Sequence, residues 1–238
     1  VDSSPVPRHV AVIPDGNRRY ARKYGLPLQV AYSKGFEKVN QILGWASDDG
    51  VKRMSFWALS LENYTKRSSL ELRALFGLMK NKMREALSSP EFEERGARIK
   101  FFGKMELLPA NIRELASELE AQSASRNKFE LQIGVAYSGQ DEIMHASKQL
   151  AKELVAGKLS ERKLDEMNSV DFSKYLYTSL QPDLVIRTGG VHRLSGFLPF
   201  QSAYSEYYFS QRLWPEFSRN DFEKAVEHFE SSERRFGK

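Results

Sequence analysis

Short apolar runs recur along the chain, and their positions predict six β-strands. The runs cover residues 9–14, 51–60, 97–103, 129–137, 184–187 and 207–210. Each run is almost continuously hydrophobic instead of alternating between apolar and polar residues, which is typical of strands that are buried on both faces. The pattern therefore favours a sheet that is covered by other elements on both sides.

Between these runs, apolar residues recur at helical spacing. Ser68 and Glu71 resemble a capping box, in which two side chains close the first turn of a helix. They precede a run whose apolar residues are Leu72, Leu75, Phe76, Met79, Met83 and Leu87. Further helices are predicted over residues 107–122, beginning at Pro109, and over 141–154 and 221–230. Strands alternating with helices predict an α/β fold with a mostly parallel central sheet, whose ligands bind beyond the carboxyl ends of the strands.

Composition excludes several classes of protein. The 238 residues contain no cysteine, which excludes disulfide scaffolds, cysteine zinc sites, iron–sulfur clusters and thiol nucleophiles. No low-complexity tract, repeat or linker is visible, so residues 1–238 are predicted to form a single domain. The sequence has no apolar run of membrane-spanning length and does not begin with a secretory signal, and a cytoplasmic location is expected.

The charge balance is mildly basic and does not by itself select a partner. Lysine and arginine total 36 against 31 acidic residues, a net charge of +5. Such a surplus suits nucleic acid, an acidic membrane surface or anionic small substrates, and also an ordinary solvated surface. A nucleic-acid binder would need a known module or basic residues interleaved with exposed aromatics, and the sequence has no such module. No nucleic-acid partner is therefore expected.

Chemistry-bearing residues follow the first predicted strand. Asp15 and Gly16 come where that strand stops, and Arg18 and Arg19 open the next helical segment. A helix N-terminus with two guanidinium groups suits a phosphate, and a nearby carboxylate suits Mg²⁺. The alternative is an ordinary Asp-Gly turn with solvated arginines, which this segment alone does not exclude.

Two later strands also end in polar and basic residues. The second leads into Ser60 and Asn63 and then basic residues, where a capped loop before the next helix is the alternative. The fifth delivers Arg187, a Gly-Gly turn, and then His192, Arg193 and Ser195. Two arginines and a hydroxyl group can hold a diphosphate by charge-assisted hydrogen bonds.

Glu206 lies within the aromatic run 204–209. A buried carboxylate needs a partner, and a metal ion would supply one. The alternative is a glutamate at a strand edge that faces water.

These segments together resemble the signatures of the cis-prenyltransferases, the undecaprenyl diphosphate synthase family. The resemblance rests, in the family's order, on residues 9–21, 60–64, 183–193, 203–209, 213–215 and 233–237. It implies a central six-stranded, mostly parallel sheet flanked by helices, an apolar tunnel between sheet and helices, and a homodimer. It also implies a Mg²⁺-dependent reaction in which an allylic prenyl diphosphate condenses with isopentenyl diphosphate to a cis product and releases diphosphate. Because that product is greasy, peripheral membrane contact is compatible with this reading.

The resemblance implies roles for individual residues. Asp15 and Asn63 would be catalytic, Asp15 helping the allylic diphosphate to leave and Asn63 assisting proton removal. Asp15, His192 and Glu206 would hold the metal, and in the family Glu206 is near the subunit boundary. The allylic diphosphate would be bound by Gly16, Asn17, Arg18, Arg19, Tyr20, Tyr32, Ser60, Leu61, Glu62, Tyr64 and Lys66, and isopentenyl diphosphate by Arg187, Arg193, Leu194 and Ser195. Arg235 and Gly237 would reach the neighbouring site of the homodimer.

The sequence departs from the family on the allylic side. With Gly35 fixing the register, Leu28 and Tyr32 stand where the family usually has an arginine and a histidine. Lys66 stands where another arginine is usual, with Arg67 next to it. Smaller departures lie at residues 136–140 and 191.

These departures leave three readings open. In the first and preferred one, Lys34, Lys66 or Arg67 compensates and ordinary cis elongation proceeds. In the second, the enzyme couples two short prenyl diphosphates irregularly or transfers the prenyl group to a non-isoprenoid acceptor. In the third, the chain is a catalytically weak accessory subunit of a heteromeric complex. Such subunits usually lack the Asp-Gly-Asn region, and the presence of Asp15, Asn63 and Glu206 argues against this reading.

Overall fold

The structure, a computed structural model, describes residues 6–232, so Arg235 and Gly237 lie outside the described residues. All six predicted strands form, with small shifts at their ends. They are β1 (His9–Ile13), β2 (Arg53–Ser60), β3 (Ala97–Phe102), β4 (Phe129–Tyr137), β5 (Leu184–Arg187) and β6 (Glu206–Phe209).

The strands form one sheet in the order β3-β4-β2-β1-β5-β6. Every neighbouring pair is parallel, so the predicted sheet is confirmed and is wholly parallel. Ile13 pairs with Arg187, and Arg187 pairs with Phe209, which brings the carboxyl ends of the three strands to one edge. We call this edge the carboxyl edge, and the three segments that follow β1, β2 and β5 meet there.

Helices cover the sheet. They are α1 (Asn17–Lys23), α2 (Leu28–Asp48), α3 (Leu61–Lys66), α4 (Ser69–Leu87), α5 (Pro90–Glu94), α6 (Ala110–Ser123), α7 (Gly139–Val155), α8 (Glu161–Asp165), α9 (Ser169–Ser173) and α10 (Arg219–Ser231). The four helices predicted from helical spacing correspond to α4, α6, α7 and α10. None of the helices within residues 6–232 is long and apolar enough to cross a membrane.

The core lies on both faces of the sheet, which explains the unbroken hydrophobicity of the strands. Val10 and Val12 of β1 belong to the larger cluster, which includes residues of α2, α4, α6 and α10. Ala11 and Ile13 of the same strand join a smaller cluster on the opposite face with Trp57. Because successive strand residues point to opposite faces, a strand covered on both sides needs apolar residues at every position.

The capping box predicted for α4 forms only by half. The Ser68 hydroxyl accepts a hydrogen bond from the Glu71 backbone N–H at 3.2 Å, as an N-cap does. The Glu71 carboxylate instead accepts a hydrogen bond from the Tyr32 hydroxyl and pairs with Arg67. A tertiary contact has therefore taken the side chain that the local pattern assigned to the helix end.

Candidate active site

Asp15 lies two residues beyond β1, and two arginines from different elements hold its carboxylate. Its Oδ2 accepts a hydrogen bond from Arg187 Nη2 at 2.9 Å, and its Oδ1 lies 3.1 Å from Arg19 Nη2. The Asp15 side chain keeps 31% of its exposure. The structure thus joins three residues that the sequence placed at two separate strand ends.

Arg187 is the most firmly anchored of these cations, with a side chain only 7% exposed. Its Nη1 donates to the Arg193 carbonyl and, at 2.7 Å, to the Ser195 hydroxyl oxygen. Its buried Nε has no hydrogen-bond partner among the described residues. A buried guanidinium is tolerated only when it is paired, and here the pairing aims it at Asp15.

The turn after β5 requires glycine. Gly189 has φ +86°, and a Cβ there would collide with the Arg19 guanidinium. The Gly189 carbonyl accepts a hydrogen bond from Arg19 Nη1 at 2.6 Å. Thr188 adds a hydrogen bond from its hydroxyl to the Asp15 carbonyl at 2.7 Å. The loops after β1 and β5 are therefore bonded to each other as one unit.

The start of α1 packs closely against other elements. Gly16 caps the helix with φ +125°, and a Cβ there would lie 2.9 Å from the Trp214 backbone nitrogen. The Trp214 indole donates to the Gly35 carbonyl of α2 at 2.8 Å. Asn17 Oδ1 is buried without a hydrogen-bond partner among residues 6–232. Arg18 is exposed, and the ring of Tyr20, which is half-buried, contacts Tyr24.

The segment after β2 is a capped helix start, close to the capped loop that the sequence left open as the alternative to a binding site. The Ser60 hydroxyl accepts a hydrogen bond from the Asn63 N–H at 3.0 Å. Tyr64 donates its hydroxyl proton to the Leu107 carbonyl at 2.9 Å, and Leu61 packs against the larger core cluster. The remaining predicted site residues, Glu62, Asn63 and Lys66, have exposed side chains.

The segment after Gly190 is mostly exposed. The ring of His192 stacks on Phe209 with 5.1 Å between centroids, and Arg193 and Ser195 are exposed beside it. Leu194 packs against the smaller core cluster, which fixes the segment to the sheet. The backbone carbonyl of Arg193 anchors Arg187. The side chain of Arg193 is exposed.

A cavity of about 290 Å³ begins at the carboxyl edge and runs between the sheet and helices α2, α4 and α6. Its polar residues at that edge include Asn17, Tyr32 and Arg67. Deeper in, the walls are mainly apolar and include Leu43, Phe56, Leu75, Met79, Met83, Ile99, Leu119 and Leu131. An apolar space with Arg67 at its polar end suits a molecule with a greasy tail and an anionic head.

The match to known proteins covers almost the whole chain. Residues 13–237 match the model of the family described as putative undecaprenyl diphosphate synthase. The chain belongs to the undecaprenyl diphosphate synthase family. It is therefore a prenyltransferase of the cis type, as its sequence signatures predict.

Relatives and a solved structure agree with this membership. The chain is 40% identical to the geranylgeranyl-diphosphate-specific tritrans,polycis-undecaprenyl-diphosphate synthase of Pyrococcus furiosus, over all of this chain and 89% of that protein. It is 37% identical to the enzyme of the same name from Thermoplasma acidophilum, over all of this chain and 92% of that protein. The crystal structure of lavandulyl diphosphate synthase from Lavandula x intermedia with dimethylallyl diphosphate has a TM-score of 0.91 and 29% identity, over 98% of this chain and 99% of that one.

Of the two main departures from the undecaprenyl diphosphate synthase family, Tyr32 lines the cavity and Leu28 does not. Leu28 is half-buried and packs against the larger core cluster. Tyr32 is buried, and its hydroxyl donates to Glu71 at 2.7 Å. Burial raises the pKa of Tyr32, so the hydroxyl keeps its proton at neutral pH and that proton is committed to Glu71. Neither residue supplies a cation.

One of the three predicted compensating cations lines the cavity. Arg67 lies with its guanidinium 5.5 Å from the centre of the Tyr32 ring, and its Nε is 3.2 Å from Glu71 Oε1. Lys34 and Lys66 are exposed and do not line the cavity. A guanidinium over an aromatic face and beside a carboxylate is held in position. Arg67 is therefore the compensating cation that the geometry favours.

The predicted metal set does not assemble within one described chain. Glu206 begins β6 and pairs with Leu184 at the amino end of β5, whereas Arg187 and Asp15 lie at the carboxyl edge. Three residues of strand separate the two levels by about 10 Å. Parallel pairing forces this separation, so Glu206 does not lie at the level of Asp15 in the same chain, and the metal set of Asp15, His192 and Glu206 stays a prediction. A role for Glu206 across a subunit boundary stays a prediction.

The sequence reasoning missed two residues of the site. Glu71 was read only as a helix cap, although it connects Tyr32 with Arg67. Thr188 was not singled out, although it bonds the loop after β5 to Asp15. The position of Thr188 is a signal that could have identified it, because it directly follows Arg187 at the carboxyl end of a strand. No local signal marks Glu71, whose partner Tyr32 is 39 residues away.

Proposed function

We propose that this prenyltransferase condenses an allylic prenyl diphosphate with isopentenyl diphosphate to a cis-polyprenyl diphosphate and releases diphosphate. The observation that carries the proposal is the apolar cavity whose lining at the carboxyl edge includes Pro14 and Asn17, on either side of the Asp15 segment. There Asp15 pairs with Arg19 and Arg187. The names of the archaeal relatives support geranylgeranyl diphosphate as the first donor to test. Those names also favour elongation over the irregular-coupling and accessory-subunit readings.

In this proposal two sides of the carboxyl edge bind the two substrates. The isopentenyl side consists of Arg187, Arg193 and Ser195. The allylic side consists of Arg18, Arg19 and Arg67, with the prenyl tail in the cavity. Ionisation of the donor builds negative charge on its diphosphate, and cations already fixed around that group stabilise it without reorganisation. The dry cavity protects the carbocation-like end of the chain from water.

The residues at Asp15 suit a metal that is shared with substrate. Among residues 6–232, no three His, Asp or Glu side chains lie together as a complete metal site. Mg²⁺ in phosphate chemistry is commonly held by one or two carboxylates together with substrate phosphates, and a half-exposed Asp15 fits that pattern. When bound, Mg²⁺ would neutralise charge on the departing diphosphate. Asp15 would hold the ion at the point where Arg19 and Arg187 meet it.

The proposal extends to assembly and location, which rest on the family resemblance. A homodimer in which Arg235 and Gly237 reach the neighbouring site would also bring Glu206 near a second chain. A cytoplasmic location is part of the same proposal. Sedimentation equilibrium of the full chain measures the assembly directly.

Product analysis tests the proposed function. Radiolabelled isopentenyl diphosphate is incubated with the dimethylallyl, geranyl, farnesyl or geranylgeranyl donor, with Mg²⁺ and with excess chelator, and the products are identified by mass. We expect elongated products with at least one donor and none with chelator. No product with any donor would overturn the proposal. A product formed when dimethylallyl diphosphate is the only substrate, with isopentenyl diphosphate left out, would favour irregular coupling instead.

A further inference from the structure

Helix α4 has two chemically different faces. Leu75, Met79 and Met83 point inward and line the apolar cavity. Outward lie Arg73, Lys80 and Arg84, and the side chains of Lys80 and Arg84 form no ion pair within the described part of the chain. One helix thickness, about 10 Å, therefore separates the cavity from a basic outer surface.

A groove of about 400 Å³ runs along this outer face between α4 and the start of α2. Its lining combines small and apolar residues with two cations. We call it the α4 groove, and its main residues are Gln29, Ala74, Gly77, Leu78, Lys80 and Arg84. Among the described residues that line it, none is acidic.

Among the long helices of the described part of the chain, the excess of basic residues is found on α4. α4 carries four basic and two acidic residues. α6 has one basic and three acidic residues, and α10 has two basic and four acidic residues. A uniform coat of solvating lysines would not give this contrast. The short α1, with four basic and no acidic residues, lies at the carboxyl edge, whereas the basic excess of α4 lies where this helix covers the cavity.

Exposed apolar residues flank the same region. Leu70, at the start of α4, keeps 70% of its exposure, and Val30, near the start of α2, keeps 39%. Cations together with apolar side chains suit the surface of an anionic bilayer, which offers phosphate headgroups and acyl chains at once. Nucleic acid would be served by the cations but not by exposed aliphatic residues.

We infer that the α4 groove, with Leu70 and Val30 at its margin, docks on an anionic lipid bilayer. The lipid phosphates contact Lys80, Arg84 and Arg73, and the two aliphatic side chains enter the headgroup region. The contact lies on the surface, since no helix within residues 6–232 can cross a membrane. Under the proposed function, the groove would bring the cavity that holds the prenyl tail next to the bilayer that receives it.

Vesicle sedimentation of the full chain tests this surface without any substrate. The probes are phosphatidylglycerol and phosphatidylcholine vesicles at low and high salt. Lys80→Glu with Arg84→Glu reverses two groove cations spaced four residues apart. The matched control is Lys148→Glu with Lys152→Glu, an exposed pair with the same spacing on α7. We expect the groove pair to weaken binding to phosphatidylglycerol vesicles at least about tenfold and the control pair to change it less than about threefold.

Three outcomes would overturn the inference. The first is that the unsubstituted chain binds phosphatidylglycerol and phosphatidylcholine vesicles equally well. The second is that the groove pair and the control pair weaken vesicle binding to the same extent. The third is that the groove pair abolishes binding to duplex DNA while binding to vesicles persists. Leu70→Ser tests whether the aliphatic side chain contributes as well as the cations. If it does, this variant should bind vesicles more weakly than the unsubstituted chain at high salt, where the electrostatic attraction is screened. The prenyltransferase rate in detergent should be unchanged by the groove pair. A chain that binds vesicles but makes no product would refute the proposed function and leave this inference standing.

Discussion

The two sides of the carboxyl edge hold their cations by different means. On the isopentenyl side, Arg187 is buried at a strand end and bonded to the loop that follows it. On the allylic side, Arg67 comes from the loop between α3 and α4 and depends on Tyr32 of α2 and Glu71 of α4. A cation fixed by strand register tolerates little change around it. A cation held by side chains from several helices can be moved by one substitution, and the departures from the family lie on that side.

Asp15 touches Arg19 of α1 and Arg187 of β5, so its loss should affect both sides and give the largest effect. We expect Asp15→Asn to lower the rate of product formation about 1,000-fold, because it removes the charge that holds Mg²⁺ and orients two arginines. Initial rates at saturating Mg²⁺ measure this, with Asp165→Asn on the exposed α8 as the control. A rate within tenfold of the wild type, with an unchanged melting temperature, would remove Asp15 from the catalytic machinery.

Arg187→Gln should damage the isopentenyl side more than the allylic side. Each hydrogen bond from a charged group contributes about 1.5–3 kcal/mol, and Arg187 makes several, so kcat/KM for isopentenyl diphosphate should fall about 100-fold. The KM of the allylic donor should change much less. The control is Arg162→Gln, an exposed arginine on α8. Equal increases in both KM values would contradict the division into two sides. Because Arg187 is buried, thermal melting must accompany the kinetics.

The opposite edge of the sheet should affect stability and not catalysis. Burial lowers the pKa of His9 to about 4, and its Nε2 lies 2.8 Å from the Ser55 hydroxyl. Above pH 6.5 the His9 imidazole is neutral in both the folded and the unfolded chain. Below pH 6.5 it takes up a proton first in the unfolded chain. The free energy of unfolding should therefore fall as the pH drops from 6.5 towards 4, by about 3 kcal/mol for this group.

Urea unfolding at several pH values measures that loss. His9→Gln should remove most of the slope between pH 6.5 and 4, while His228→Gln, at an exposed histidine on α10, should retain it. An unchanged slope in His9→Gln would show that other groups govern acid stability. Neither variant should alter the KM of either substrate at pH 7.5.

Arg67→Gln should give the smallest and most selective effect. Losing one charged contact to the donor should raise the KM of the allylic diphosphate about tenfold, with little change for isopentenyl diphosphate. Lys34→Gln and Lys66→Gln should raise it less, because both lysines are exposed away from the cavity. Arg162→Gln again serves as the control. A larger effect of Lys66→Gln than of Arg67→Gln would assign the compensation to Lys66.

Restoring the family pattern sharpens the same comparison. In a Leu28→Arg, Tyr32→His background, the donor site regains two cationic groups and should depend less on Arg67. The increase in donor KM caused by Arg67→Gln should then shrink from about tenfold to about threefold or less. An undiminished effect would mean that Arg67 acts independently of these two positions.

Local sequence signals determined the strands and the edge at which to look for chemistry. Unbroken apolar runs predicted all six strands because a strand covered on both faces must be apolar at every position. The general rule for parallel sheets then selected Asp15, Arg19 and Arg187, all of which lie at or just beyond strand ends. The family signatures added the reaction, which no periodicity contains.

Tertiary structure alone decided which of these residues meet. The register of β6 against β5 places Glu206 at the far edge, although the sequence reading grouped it with Asp15. Glu71 reads locally as a cap, yet its carboxylate binds Tyr32, 39 residues away. Strand register and helix packing depend on contacts between distant parts of the chain. A pattern within a few residues therefore predicts the elements but not the pairs of side chains that these elements bring together.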